Sequence, residues 1–171
     1  RLVPFWDDEI PRWSPDSQWL AFTLKDHVHV APRQGGLPRK LTDFTEGASS
    51  PVWMPDSTGL IVTVERYDAD QLVLTDREGH WPRPLTDDPS GDAWDARPSP
   101  DGRHVAYVLR HFDDLNRTDI RLIDLQSGAA HTVVGQAQEF NRSPRWSPDG
   151  KTIAFLSQHT DFFEIWLVQP D

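Results

Sequence analysis

The chain of 171 residues contains no cysteine. Disulfides, thiolate-held metals and a cysteine nucleophile are therefore excluded, and a reducing, cytoplasmic setting is the expectation. No apolar stretch approaches the roughly 18 residues of a membrane span, so no membrane contact is expected. Nor does the sequence open on a charged-then-apolar leader or a methionine; it begins Arg1-Leu2-Val3, which reads as a piece of a longer protein. An excess of basic residues is also missing. Net charge is −10, with 27 Asp and Glu against 17 Lys and Arg, and such a surface repels nucleic acid.

What the chain does have is proline, tryptophan and a repeat. There are 15 Pro and 8 Trp, a mix that suits short strands and tight turns rather than long helices. Pro11-Arg12-Trp13-Ser14-Pro15-Asp16 recurs as Pro51-Val52-Trp53-Met54-Pro55-Asp56, as Ala96-Arg97-Pro98-Ser99-Pro100-Asp101 and as Pro144-Arg145-Trp146-Ser147-Pro148-Asp149. Each copy is followed, at one fixed offset, by a short apolar strand: Leu20–Phe22, Leu60–Val62, Val105–Tyr107 and Ile153–Phe155. A further strand follows each, at His27–Val30, Leu72–Leu74, Ile120–Ile123 and Ile165–Val168. Glycine-bearing turns then lead to outer strands at Arg39–Thr42, Arg83–Thr86 and His131–Val134.

Four strands in a unit of about 43 residues define the blade of a β-propeller. The predicted fold is therefore all-β: four-stranded antiparallel blades, four of them present, forming part of a larger six- to eight-bladed ring. The expected boundaries are an outer strand at 1–3 and blades at about 11–42, 51–86, 96–134 and 144–168. The outer strand of the last blade is then missing or supplied by 1–3.

In the repeat motif, Trp13, Trp53 and Trp146 are expected on the innermost strand, filling space between blades. Pro15, Pro55, Pro100 and Pro148 preset φ at a turn, and Asp16, Asp56, Asp101 and Asp149 accept turn amides. Gly102 and Gly150 permit the positive φ that Ser17 and Ser57 resist, so a slightly different turn is expected in blades 1 and 2. Pro98 replaces the tryptophan in blade 3, which predicts looser packing there.

The run Ser147-Pro148-Asp149-Gly150-Lys151-Thr152-Ile153-Ala154-Phe155 resembles the propeller repeats of TolB-like proteins. It equally resembles those of the prolyl oligopeptidase family of serine peptidases. The charged loop Arg110–Asp119 and the aromatic passage His159–Val168 are similar to those of acylaminoacyl-peptidase-like members, which favours the peptidases. That resemblance implies a non-catalytic segment that gates and orients peptide substrate for an α/β-hydrolase domain of the same parent chain. The alternative is a TolB-like interaction propeller with no attached enzyme. The hydrolase domain of the family carries a Gly-x-Ser-x-Gly elbow. No such pentapeptide occurs here; Gly47-Ala48-Ser49-Ser50-Pro51 lacks the second glycine. No catalytic residue, cofactor or metal is assigned.

In a propeller, the connectors between blades share a face with the loops between second and third strands. Most of the acidic residues fall in those segments, which predicts a negative mouth for cationic peptide ends. The candidate substrate- or domain-facing residues are Asp7, Asp8, Glu9, Asp92, Asp95, Phe112, Asp113, Asp114 and Phe162. His27 and His29, two apart on a strand, and Asp113-Asp114 with Asn116 match no known metal spacing.

Overall fold

The computed structural model describes residues 10–66, 68–89, 91–136, 139–158 and 162–170. All regular structure among these residues is β. Two compact units divide the chain, Arg1–Thr86 and Asp87–Asp171. The first holds two four-stranded antiparallel sheets. One runs β1 (Arg12–Trp13), β2 (Trp19–Leu24), β3 (His27–Pro32) and β4 (Arg39–Lys40). The other runs β5 (Ser49–Trp53), β6 (Gly59–Arg66), β7 (Ala69–Asp76) and β8 (Arg83–Pro84). These are blades 1 and 2.

In the second unit, blade 3 comprises β9 (Gly91–Pro98), β10 (His104–His111), β11 (Thr118–Asp124) and β12 (Ala130–Val134). Blade 4 comprises β13 (Phe140–Trp146), β14 (Ile153–Gln158) and β15 (Glu164–Val168). Blades 3 and 4 are not separate sheets. A parallel bridge between Thr118 and Phe140 joins β11 to β13. Buried side chains reinforce it: the Asn141 amide nitrogen donates to Thr118 Oγ1 at 2.6 Å, and Asn141 Nδ2 donates to the Thr118 carbonyl at 2.9 Å. The outer strand expected from residues 1–3 lies outside the described residues, as do Asp7, Asp8 and Glu9.

The motif turn explains the repeat. In blade 1 the Ser14 hydroxyl donates to Asp16 Oδ1 at 2.5 Å and accepts the Trp19 amide at 2.9 Å. Asp16 Oδ1 also accepts the Gln18 amide at 2.9 Å. Blades 3 and 4 repeat this set through Ser99 with Asp101 and Ser147 with Asp149. In blade 2 Met54 lacks the hydroxyl, and Thr58 Oγ1 donates to Asp56 Oδ1 instead, at 2.8 Å. The residue after the aspartate is left-handed in every copy: φ is 59° at Ser17, 62° at Ser57, 71° at Gly102 and 70° at Gly150. The expected difference between serine and glycine turns is thus overturned. The hydrogen bonds around the aspartate hold one geometry, and serine bears the strain.

Serine at 57 also has a use. Its Oγ accepts the Asp16 amide at 3.0 Å, tying the turn of blade 1 to that of blade 2. The tryptophans act alongside it. Trp53 is 7% exposed and its Nε1 donates to the Arg12 carbonyl of blade 1 at 2.9 Å. Trp146 does the same to Arg97 of blade 3, also at 2.9 Å. Each indole thus fills the gap between blades and bonds the innermost strand of the blade before it. Trp13, by contrast, is 56% exposed.

Between neighbouring blades of a unit lies an apolar layer. Val28 and Val30 of β3 share a cluster with Leu60, Val62 and Val64 of β6. In the second unit, Leu122 clusters with Ile153, and Ile120 with Phe155. Burial of each such side chain contributes about 1.5–3 kcal/mol, which outweighs the net worth of any single hydrogen bond in the turns. The outer strands β4 and β8 are only two residues long, yet Thr42 and Thr86 extend their hold. Their hydroxyls accept the amides of Val28 and Leu72, each at 2.9 Å.

Two outcomes follow. Ser17 is exposed and strained, so Ser17→Gly should raise stability by about 0.5–1 kcal/mol in urea denaturation. The serine hydroxyls hold Asp16, Asp101 and Asp149 below the ordinary aspartate pKa. A lowered carboxyl stabilises the folded state above its unfolded pKa of about 3.9 and loses that contribution as pH falls through the folded value. Urea midpoints should therefore drop below about pH 4, and drop less in the triple variant Ser14→Ala, Ser99→Ala, Ser147→Ala.

Candidate functional site

At one end of the second unit the strands bring together charges that are scattered in sequence. Antiparallel register sets Asp92 of β9 opposite Arg110 of β10, and Leu109 opposite Asp119 of β11. Asp92 is buried and its carboxylate pairs with Arg110 Nη2. The Arg110 guanidinium lies over the Trp94 ring, 5.8 Å from its centroid. Next to it, Asp119 is 2% exposed. It takes His111 Nε2 at 2.9 Å on one oxygen and Arg117 Nε at 3.1 Å on the other. That carboxylate raises the Arg117 pKa further. Gly135 closes the far side: a Cβ there would stand 2.4 Å from Asp119 Oδ1, so only glycine fits unless the carboxylate moves.

One step further along β9, Asp95 sits between two arginines. It pairs with Arg97 of its own strand and, at 3.6 Å, with Arg145 of β13. The approach depends on a bulge. Asp95 has φ of 50°, Ser50 51° and Ser143 56°, each just before the first residue of the repeat motif. The register shifts at this point in all three inner strands. A bulge bends the strand and re-aims the side chain at the extra residue.

The rim of this end is aromatic and exposed. Phe112 is 39% and Phe162 76% exposed. Phe163 meets Phe140 edge-on at 6.2 Å and carries the Arg142 guanidinium over its face at 3.9 Å. Between Phe112 and Arg117, Asp114 Oδ1 accepts the Asn116 amide at 3.2 Å and its carbonyl accepts the Arg117 amide at 2.9 Å. Asp114 is therefore a turn former, while Asp113 points to solvent.

Several expectations from sequence are corrected here. Asp92 and Asp95 are not connector residues; they belong to the innermost strand β9 and are ion-paired. The end is not a uniformly negative mouth, because Arg110, Arg117 and Arg142 lie among the acids. Asp113, Asp114, Phe112 and Phe162 do lie at this end of the second unit. The sequence showed Arg110, His111, Arg117 and Asp119 only as members of one charged loop and did not reveal their pairing. Their signal was the alternation Arg117-Thr118-Asp119 opposite Leu109-Arg110-His111, which places charges face to face only once the hairpin register is known.

A histidine–aspartate pair is two thirds of a hydrolytic triad. The third member, a hydroxyl bonded to the imidazole, is lacking among the described residues. No group of three or more His, Asp or Glu among those residues could hold a metal. His29 Nδ1 bonds the His27 carbonyl at 3.0 Å, and its ring stacks on Phe22, so this histidine is a packing residue. In the first unit a shallow groove of about 240 Å³ is lined by Phe44, Glu46, Val64, Arg66, Val73, Pro82 and Pro84.

No family model matches the chain. Its sequence is 28% identical over 160 residues to the uncharacterized peptidase YuxL of Bacillus subtilis, covering 88% of this chain and 22% of that protein. Among solved structures, a TolB protein of Agrobacterium tumefaciens superposes with TM-score 0.78 at 25% identity, covering 94% of this chain and 57% of the other. A puromycin-hydrolyzing peptidase of Mycobacterium tuberculosis superposes with TM-score 0.77 at 20% identity, covering 94% and 27%. The chain spans from about a fifth to about half the length of the first curated relatives it matches.

Buried Asp119, with two partners that depend on it, is the stability anchor of this end. Asp119→Ala should cost about 1–3 kcal/mol in urea denaturation, since it leaves the His111 ring nitrogen and the Arg117 guanidinium without their shared acceptor. Asp113→Asn, exposed and off the network, should stay within about 0.5 kcal/mol of the parent. Built of blades, this chain is similar both to peptidase propeller domains and to TolB-like proteins.

Proposed function

We propose that this chain is the non-catalytic propeller segment of a serine peptidase of the prolyl oligopeptidase family. In this reading it gates and orients peptides for a separate α/β-hydrolase domain in the same parent polypeptide. The observation that carries the reading is the similarity to a peptidase over 88% of the chain. The chemistry at the loop end of the second unit agrees with it. Every buried carboxylate described there is committed to a cation, and none is left over as a general base. What this end offers instead is exposed aromatic rings and paired charges, suited to steering a peptide or touching a neighbouring domain.

A second reading, a TolB-like interaction scaffold, is favoured by one observation: the match to the Agrobacterium TolB protein covers twice as much of that chain as the match to the mycobacterial peptidase does. The two readings part on one experiment. The full-length polypeptide carrying this segment is treated with a fluorophosphonate probe and assayed on aminoacyl arylamides. Labelling of a serine outside residues 1–171, with turnover, is expected. The isolated 171-residue chain should show neither. Replacing the exposed loop 112–116 by a short glycine-containing turn should raise turnover of long peptides relative to dipeptides severalfold. A full-length protein that takes up no probe and hydrolyses nothing would leave the scaffold reading standing.

A further inference from the structure

Two buried polar atoms of blade 4 have no hydrogen-bond partner among the described residues. Asn141 and Ser157 are both 0% exposed, yet Asn141 Oδ1 and Ser157 Oγ bond to nothing. The two residues are opposed in the register of β13 with β14, so their side chains share a face, with Cβ atoms about 4.5–5.5 Å apart. That face meets blade 3. Asn141 Nδ2 donates to the Thr118 carbonyl at 2.9 Å. Ile153 and Phe155, on the same side of β14 as Ser157, pack on Leu122 and Ile120.

The same places in two other blades are apolar. They lie five residues before the tryptophan position and eight after the motif aspartate. Blade 3 has Ala93 opposite Leu109, both buried. Blade 2 has Ala48 and Val64, both in the apolar cluster between blades 1 and 2. The backbone bond changes as well. The Ala48 amide donates to the Asp26 carbonyl at 2.7 Å, whereas the Asn141 amide donates to the Thr118 hydroxyl at 2.6 Å. Blade 4 thus sets an amide and a hydroxyl where blades 2 and 3 set hydrocarbon. Serine is also smaller than valine or leucine, so the change brings space together with polarity. Burying either group without a partner is costly.

We propose that the interface of blades 3 and 4 is a binding site for one ordered water, which bridges Asn141 Oδ1 and Ser157 Oγ. Asn141 Oδ1 only accepts, so its partner must donate, while the serine hydroxyl can do either; water meets both demands. An apolar guest would leave both atoms unpaired. An ion would find no counter-charge, since Asn141, Ser157 and Thr118 are all neutral. The water ties β14 to the link that Asn141 makes with Thr118. It thereby steadies Phe140 and Arg142, the two neighbours of Asn141 that hold the Phe163 ring. The site stands independently of the peptidase reading.

A high-resolution crystal structure of the chain tests the site directly, and Ser157 variants test it in solution. Density for one water within hydrogen-bond distance of Asn141 Oδ1 and Ser157 Oγ is expected. Ser157→Ala takes one partner from the water and should lower the folding equilibrium constant by about fivefold in urea denaturation. Ser157→Val installs the residue of blade 2, displaces the water and strands Asn141 Oδ1, so it should lose more. Asn141→Ala combined with Ser157→Val restores the blade 2 pair and should lose less than the two single changes together. A Ser157 hydroxyl that donates straight to Asn141 Oδ1 overturns the proposal, as does a protein group in place of the water. So does a Ser157→Ala variant as stable as the parent or more so, the behaviour of a hydroxyl that never had a partner. Strict additivity of the Asn141 and Ser157 changes also counts against it.

Discussion

One turn supports the rest of this structure: an aspartate oxygen that accepts the amide two residues on while a hydroxyl donates to it. That turn decides where the second strand of each blade begins. With the start set, the apolar residues four and six positions after the aspartate fall on the face that meets the neighbouring blade. Leu60 and Val62 in blade 2, and Ile153 and Phe155 in blade 4, occupy those positions and are buried. A slip of one residue would turn them to the opposite face. The turn is therefore worth more than the sum of its hydrogen bonds, because it sets the register on which apolar burial depends. Tolerance of left-handed serine at Ser17 and Ser57 shows how firmly the network imposes its geometry.

Blades are joined by a mixture of apolar burial and a few directed bonds. The indole serves both purposes at once. It removes a large ring from water and satisfies a carbonyl that the inner strand would otherwise leave open. Between blades 3 and 4 a buried polar link is added by Thr118 and Asn141, both 0% exposed. Such a link adds little net energy but permits only one alignment. The loop end of the second unit is held by the same logic. Asp119 is buried because His111 and Arg117 pay its desolvation, and Asp92 because Arg110 pairs with it. These pairs make a rigid base from which Phe112, Phe162 and Phe163 project.

In the proposed reading, the chain acts through its surfaces rather than through a reactive centre. At the loop end of the second unit, Asp92, Asp95 and Asp119 are held in ion pairs and Asp114 in a turn, while Phe112 and Phe162 are exposed. That division suits a segment which presents loops to something else. A fold of repeated blades shares its architecture among peptidases and non-enzymatic binders alike, so the blades alone do not choose between them.

The sequence by itself determined the repeat, the strand order within each blade and the motif turn. The turn depends on residues at most five positions apart, and the repeat and strand order follow from the same pattern recurring along the chain, so both are legible without coordinates. Even there one expectation failed: serine was expected to change the turn, because the bonds that force it into the left-handed region are invisible without coordinates. The site was legible only in part. Asp113, Asp114, Phe112 and Phe162 could be placed at the loop end by counting strands. Only tertiary structure decided that Asp92 and Asp95 lie inside a strand, that Arg110, Arg117 and Arg145 neutralise the acids, and that Thr118 bonds Asn141 across 23 residues of chain. The physical reason is register. A bulge at Asp95 and the pairing of three strands determine which charges meet, and neither can be read from residue spacing along one strand.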